Sequence, residues 1–144
     1  MKLILTSLVI SVIGIGLLGA CAGNVYSLKV GNCYNGPNLN TESTVNVTDV
    51  EIVNCDEPHE SEVYANFELP DSIWPGYDYI ENQAEMGCIA RFEAFAGVEY
   101  DLSTLLVDYI YPTEESWKDD RFVKCSVVEE SYIKVSGSLR GSRR

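Results

Sequence analysis

Histidine is nearly missing from this chain: His59 stands alone among 144 residues. Zinc and its neighbours want several nitrogen or sulfur ligands, and cysteines tied up in disulfides supply none, so neither a metal nor any other cofactor is expected. Cations are scarce too, with 10 lysines and arginines against 22 acidic residues and a formal net charge of −12. Phosphate binding needs a concentrated positive field, so nucleic acid is excluded as a partner. The chain also lacks a Gly-x-Ser-x-Gly nucleophile elbow and a glycine-rich phosphate loop. It has no internal repeat, no low-complexity segment and no second domain boundary, and its length suits one core.

Its N-terminus is organised differently. Lys2 leads into an apolar run from Leu3 to Leu18, broken only by Thr6, Ser7, Ser11 and two glycines, and small residues then meet Cys21. This is the layout of an export signal. Leu18-Gly19-Ala20 before Cys21 looks like the lipobox of bacterial lipoproteins, in which residues 1–20 are removed and Cys21 becomes a diacylated N-terminus. Two or more acyl chains make a lasting anchor, which one would not. The alternative is an uncleaved transmembrane helix over Leu3 to Ala20, near the roughly 18-residue threshold for spanning hydrocarbon. Either way, the rest of the chain is expected outside the cytoplasm. Loss of Lys2 leaves 9 basic against 22 acidic residues, or −13, which should hold the domain off anionic lipid and leave the acyl anchor as its membrane contact.

With Cys21 lipidated, Cys33, Cys55, Cys88 and Cys125 remain, an even number suited to two disulfides in an oxidising compartment. Spacing does not choose among the three possible pairings. Cys33 with Cys55 and Cys88 with Cys125 is the expected set. Such a set makes a Cys-His nucleophile unattractive, because a working thiol must stay reduced.

In chain order, residues 21–26 are expected to be a short lipidated tether, with strands at Tyr26 to Tyr34 and Thr44 to Cys55 on either side of the turn-rich Asn35-Gly36-Pro37-Asn38. The apolar alternation in the second strand region slips near Asp49, predicting a bulge or two short strands. Val63 to Leu69 is a third strand, with Val63, Ala65, Phe67 and Leu69 on one face and Tyr64, Asn66 and Glu68 on the other. A helix is predicted from Tyr79 to Ala96, opened by Asp78 as N-cap with Glu81 three residues on, and closed by Gly97. Its stripe of Ile80, Ala84, Gly87, Cys88, Arg91, Phe92 and Phe95 faces the core. A strand follows at Leu105 to Tyr111, then a short helix starting at Thr113 to Ser116 with Trp117 plugging it onto the core. Arg121 to Val128 is a fifth strand, whose Val123, Cys125 and Val127 face would meet Cys88. Tyr132 to Leu139 is a sixth, weaker strand, and residues 141–144 form a solvated tail. Pairing Cys33 with Cys55 conflicts with one plain hairpin, in which Cys33 at the end of the first strand faces the beginning of the second. It needs a parallel or crossing arrangement, or a separate short strand around Ile52.

Several short signatures run in order along the chain: Val30-Gly31-Asn32-Cys33-Tyr34, Cys55-Asp56-Glu57-Pro58-His59-Glu60-Ser61-Glu62-Val63, Gly87-Cys88 with Arg91-Phe92, Tyr111-Pro112-Thr113 with Ser116-Trp117, Cys125, and Gly137-Ser138-Leu139-Arg140-Gly141. Together they resemble the septum formation domain family, found mostly in actinobacterial membrane proteins and lipoproteins. The resemblance implies a domain over residues 27–140 on the extracytoplasmic face of the cell membrane, with a role at the division septum and an envelope or divisome protein as partner. The composition, rich in Ile, Asn, Tyr and acidic residues, departs from the alanine-rich members expected of such a family.

The candidate sites are few. His59 lies among Asp56, Glu57, Glu60 and Glu62; Pro58 is expected to fix a turn there and His59 to hydrogen-bond backbone at the start of the third strand, with a partner contact as the functional reading of both and a metal site or general base as the further alternative for His59. Trp74, Tyr77 and Tyr79 before the helix form either an aromatic platform for a glycan or protein or a lid on the core. Arg140 is an odd cation on an acidic domain, read as a contact or as an edge charge that limits strand aggregation. The fold expected is a small α+β domain, a mainly antiparallel sheet with one main helix and two disulfides. The function expected is a non-catalytic binding or scaffolding module. The alternatives are a peptidoglycan hydrolase with two facing carboxyls, one of raised pKa, or a small ligand-sensing lipoprotein.

Overall fold

The computed structural model describes residues 21–36 and 46–144. The expected export signal, the turn at Pro37 and the start of the second strand region lie outside these residues. Among the described residues no helix is long and apolar enough to cross a membrane.

Among the described residues six strands, β1 (Cys21–Asn24), β2 (Cys33–Asn35), β3 (Asp49–Val53), β4 (Ser61–Glu68), β5 (Leu105–Ile110) and β6 (Phe122–Glu129), form one sheet in the order β1-β3-β2-β4-β6-β5. Every pairing is antiparallel. One long helix, α1 (Tyr77–Ala96), packs across β4, β6 and β5. The expected α+β class is thus the observed one.

Helix α1 starts two residues earlier than its pattern suggested. Gly76, at φ +98°, occupies the N-cap position without a side-chain bond, and Asp78 lies inside the first turn, where its charge suits the positive end of the helix dipole. Gly97 ends the helix as expected, in the left-handed region at φ +77° with its N–H bonded to the Glu93 carbonyl. Ile80, Ala84, Cys88, Phe92 and Phe95 are buried from one face of α1. Arg91 is exposed on that helix and lies 4.3 Å over the Phe67 ring.

The sheet departs from the pattern at three places. Residues expected to continue a strand from Tyr26 instead form a 3-10 turn at Val25–Ser27 and a loop through Gly31, whose φ of +91° suits glycine. β2 therefore begins at Cys33, opposite Val53, and Cys55 lies just beyond the end of β3. That geometry reconciles the Cys33–Cys55 bond with antiparallel pairing: Cys33 is at the start of its strand, and β3 is the separate short strand around Ile52. Second, a bulge falls at Tyr64, between the Val63–Ser126 and Ala65–Cys125 pairs. Tyr64 joins Ala65 and Phe67 on the helix side, donating its hydroxyl to the Cys88 carbonyl at 2.7 Å, while Val63 turns to the other face. Third, residues 132–139 contribute a single bridge, His59 with Val135, in place of a sixth strand.

Two cores result. The larger joins α1 to the sheet through Phe92, Leu105, Val123 and the Cys88–Cys125 disulfide, with Trp117 buried at its edge. The turn before Trp117 is not helical; Thr113 and Ser116 bond each other's backbone and hydroxyl groups there. The smaller core, on the opposite face, gathers Val25, Leu28, Tyr34, Val50 and Val63. Residues 21–26, expected as a tether, supply the edge strand β1 and Val25 of this core.

Candidate functional site

The candidate contact residues gather toward the two ends of α1, Pro58, His59 and Arg140 at one and Trp74 and Tyr77 at the other, ends that a helix of 20 residues sets about 30 Å apart. At the C-terminal end lies a polar junction built on β4 and its approach. His59 is fully buried, and its backbone exchanges both hydrogen bonds with Val135 at 2.9 Å. Its Nδ1 is 2.8 Å from the Glu57 carbonyl, a bond that requires the proton on Nδ1. In the neutral ring Nε2 then carries the lone pair, and it is buried with no hydrogen-bond partner among the described residues. A buried group in that condition forgoes about 1–3 kcal/mol. As expected from the sequence, His59 bonds backbone at the start of the strand; being fully buried, it has no surface to offer a partner, and the contact reading is corrected for it.

Glu62, also buried, accepts from Ser138 Oγ and the Leu139 N–H, each at 2.7 Å. Gly137 N–H bonds the Cys55 carbonyl at 2.6 Å, and Gly141 and Arg143 N–H groups satisfy the Phe95 and Ala96 carbonyls at the end of α1. Residues 135–143 are therefore a strap that ties the first disulfide, β4 and the helix terminus together. The expected solvated tail has mostly exposed side chains, yet its backbone caps the helix. Pro58 is exposed on the approach, and Arg140, exposed on the strap, lies 4.9 Å over the Phe95 ring. Cys33, His59 and Glu62 offer ligand-type atoms all within 4.8 Å of one another, although Cys33 is bonded to Cys55.

At the N-terminal end, Trp74 stacks edge-on against buried Trp117 at 5.3 Å and against Tyr77 at 4.9 Å. Trp74 is half-buried and serves as a lid, whereas Tyr77 is 51 % and Ile73 81 % exposed. Tyr79 is also exposed; the charge of Asp71 raises the pKa of its hydroxyl. In the aromatic loop Trp74 thus turns inward as a lid on the core, while Tyr77 and Tyr79 point outward. The sequence reading missed Ile73, the most exposed apolar side chain here, because a lone isoleucine in a loop carries no pattern.

A third polar group lies on the face away from α1. Tyr34 donates its hydroxyl to Ser126 at 3.0 Å, and Ser126 pairs with Asp108 across β5 and β6. Burial raises the Asp108 pKa, opposed by a bond from the Tyr109 N–H. Burial, then the Asp108 charge, pushes Tyr34 well above the usual phenol value. This is a raised carboxyl of the kind a glycosidase acid needs, but its cross-strand neighbour is a serine, not a second carboxyl. Cys21, the expected lipidation site, opens β1 with its backbone opposite Ile52.

A family model described as septum formation matches residues 24–125, most of the chain. The chain belongs to the septum formation family. The match contains both disulfides of the septum formation domain and the aromatic loop, and it ends before the strap. Comparisons with curated proteins and with solved structures returned no match.

Proposed function

We propose that this septum formation domain is a lipid-anchored binding or scaffolding module on the extracytoplasmic face of the cell membrane, recruiting an envelope or divisome protein to the division site. The family match carries the reading, and three features support it. The Leu18-Gly19-Ala20-Cys21 run has lipobox order. Two disulfides suit an oxidising compartment. Ile73 and Tyr77 give an exposed apolar and aromatic contact backed by a fixed Trp74–Trp117 pair, which limits the ordering cost of binding. Because β1 begins at Cys21, acyl chains there would hold the sheet edge close to the lipid headgroups.

The experiment is localisation of a fluorescent fusion of the full chain in dividing cells. The native fusion is expected to concentrate at septa, Cys21→Ser to leave the membrane fraction, and Ile73→Ser/Tyr77→Ser to remain on the membrane while spreading around the cell. An even peripheral distribution of the native fusion would contradict the septal role. Septal enrichment that survives the Ile73→Ser/Tyr77→Ser change would remove the aromatic loop from it.

A further inference from the structure

The junction beneath the strap leaves one buried ligand atom, His59 Nε2, without a partner among the described residues, beside a disulfide and a buried carboxylate. We propose that, once the Cys33–Cys55 bond is reduced by a dithiol, Cys33, Cys55, His59 Nε2 and Glu62 form a zinc site. This goes beyond the septal reading and does not depend on it.

The geometry is already close to a metal shell. Sulfur, nitrogen and carboxylate ligands sit roughly 2.0–2.3 Å from zinc, which places tetrahedral ligands about 3.3–3.8 Å apart. Cys33 Sγ, His59 Nε2 and a Glu62 oxygen lie within 4.8 Å of one another. Cys55 Sγ is bonded to Cys33 Sγ but lies outside this three-residue group, so after scission it joins as fourth ligand by turning its side chain toward them. All three clustered residues are fully or almost fully buried, and Nε2 has no other partner among the described residues.

The surroundings are those of an oriented ligand set. The Glu57 carbonyl on Nδ1 fixes the tautomer that leaves Nε2 free, as outer-shell carbonyls do for metal-bound histidines. Ser138 and Leu139 hold the Glu62 carboxylate in place from the strap. Cys55 is only half-buried, whereas Cys88 and Cys125 are both fully buried, so a reductant meets the first disulfide before the second.

The step balances. The S–S bond breaks as the dithiol gives two electrons and two protons and is itself oxidised to a disulfide; zinc then displaces the two thiol protons. Disulfide and metal are alternative occupants of one place, which makes the site a redox-gated one.

The test uses the full chain reduced with a phosphine and titrated with cobalt(II), then zinc. Cobalt is expected to bind once per chain with a thiolate-to-metal charge-transfer band that zinc abolishes. The oxidised protein should show no band. Cys33→Ser/Cys55→Ser should abolish it, and His59→Gln should weaken binding by at least about tenfold. Since these variants risk misfolding, the wild type carries an independent readout: His59 is the sole histidine, so zinc must shift one set of imidazole nitrogen resonances, at Nε2. No band in the reduced wild type, or a band with the Nε2 signal unmoved, overturns the site.

Discussion

Glu62 on β4 accepts the backbone N–H of Leu139 at 2.7 Å, so a buried carboxylate holds a strap 77 residues further along the chain. The same carboxylate takes the Ser138 hydroxyl. Glu62→Ala is expected to lower unfolding free energy by about 2–4 kcal/mol, since two bonds to a charged acceptor are lost and a buried amide is stranded. Thermal unfolding would measure it. Hydrogen exchange should also show faster exchange at Gly141 and Arg143, which the strap presents to the end of α1.

Gly87 is a close-approach position. A methyl group there would overlap the Phe67 ring at Cζ, well inside van der Waals contact. Gly87→Ala is therefore expected to destabilise by about 1–3 kcal/mol despite a helix-propensity gain of about 1 kcal/mol. Gly87→Ala with Phe67→Leu should recover part of the loss in a double-mutant cycle.

The disulfides close separations of 22 and 37 residues. Replacing either pair by alanine is expected to cost about 3–4 kcal/mol by chain entropy. Cys88→Ala/Cys125→Ala should loosen the packing of α1 on β6 and weaken the near-ultraviolet circular dichroism of the Tyr64 cluster, whose hydroxyl bonds the Cys88 carbonyl.

Burial raises the pKa of Asp108 and pushes that of Tyr109 up to about 12, the latter aided by Glu85 and Glu81. In both cases the folded state binds protons more tightly than the unfolded state, so their contributions are present below the unfolded pKa and lost as pH rises through the folded one. Asp108→Asn is expected to raise the melting temperature at neutral pH, with the advantage shrinking as pH falls into the ordinary carboxylate range. For Tyr109 the loss runs from about pH 10 to 12, and ultraviolet titration of Tyr109→Phe against the native protein would isolate it.

Much of this was legible in the sequence because it rests on local pattern. The α1 stripe, the Gly97 stop and the Val123, Cys125 and Val127 face follow from side-chain period alone, and they bring Cys88 to Cys125. What was not legible depends on distant chain. The Tyr64 bulge is set by its partner strand, and a two-residue periodicity cannot reveal which residue a ladder omits. Apart from the Glu62 carboxylate, the strap is held by backbone groups, through Val135, Gly137, Gly141 and Arg143, and those bonds leave no side-chain signature. His59 stood out by being the only histidine, yet its place under the strap came from Val135, far along the chain.

The most direct measurement is the intact mass of the chain produced in a lipoprotein-competent host, taken with thiol alkylation before and after reduction. The account predicts a chain beginning at Cys21 that carries a diacylglyceryl group, with Cys33, Cys55, Cys88 and Cys125 reacting only after reduction. An unprocessed chain whose four cysteines alkylate without reduction would contradict it.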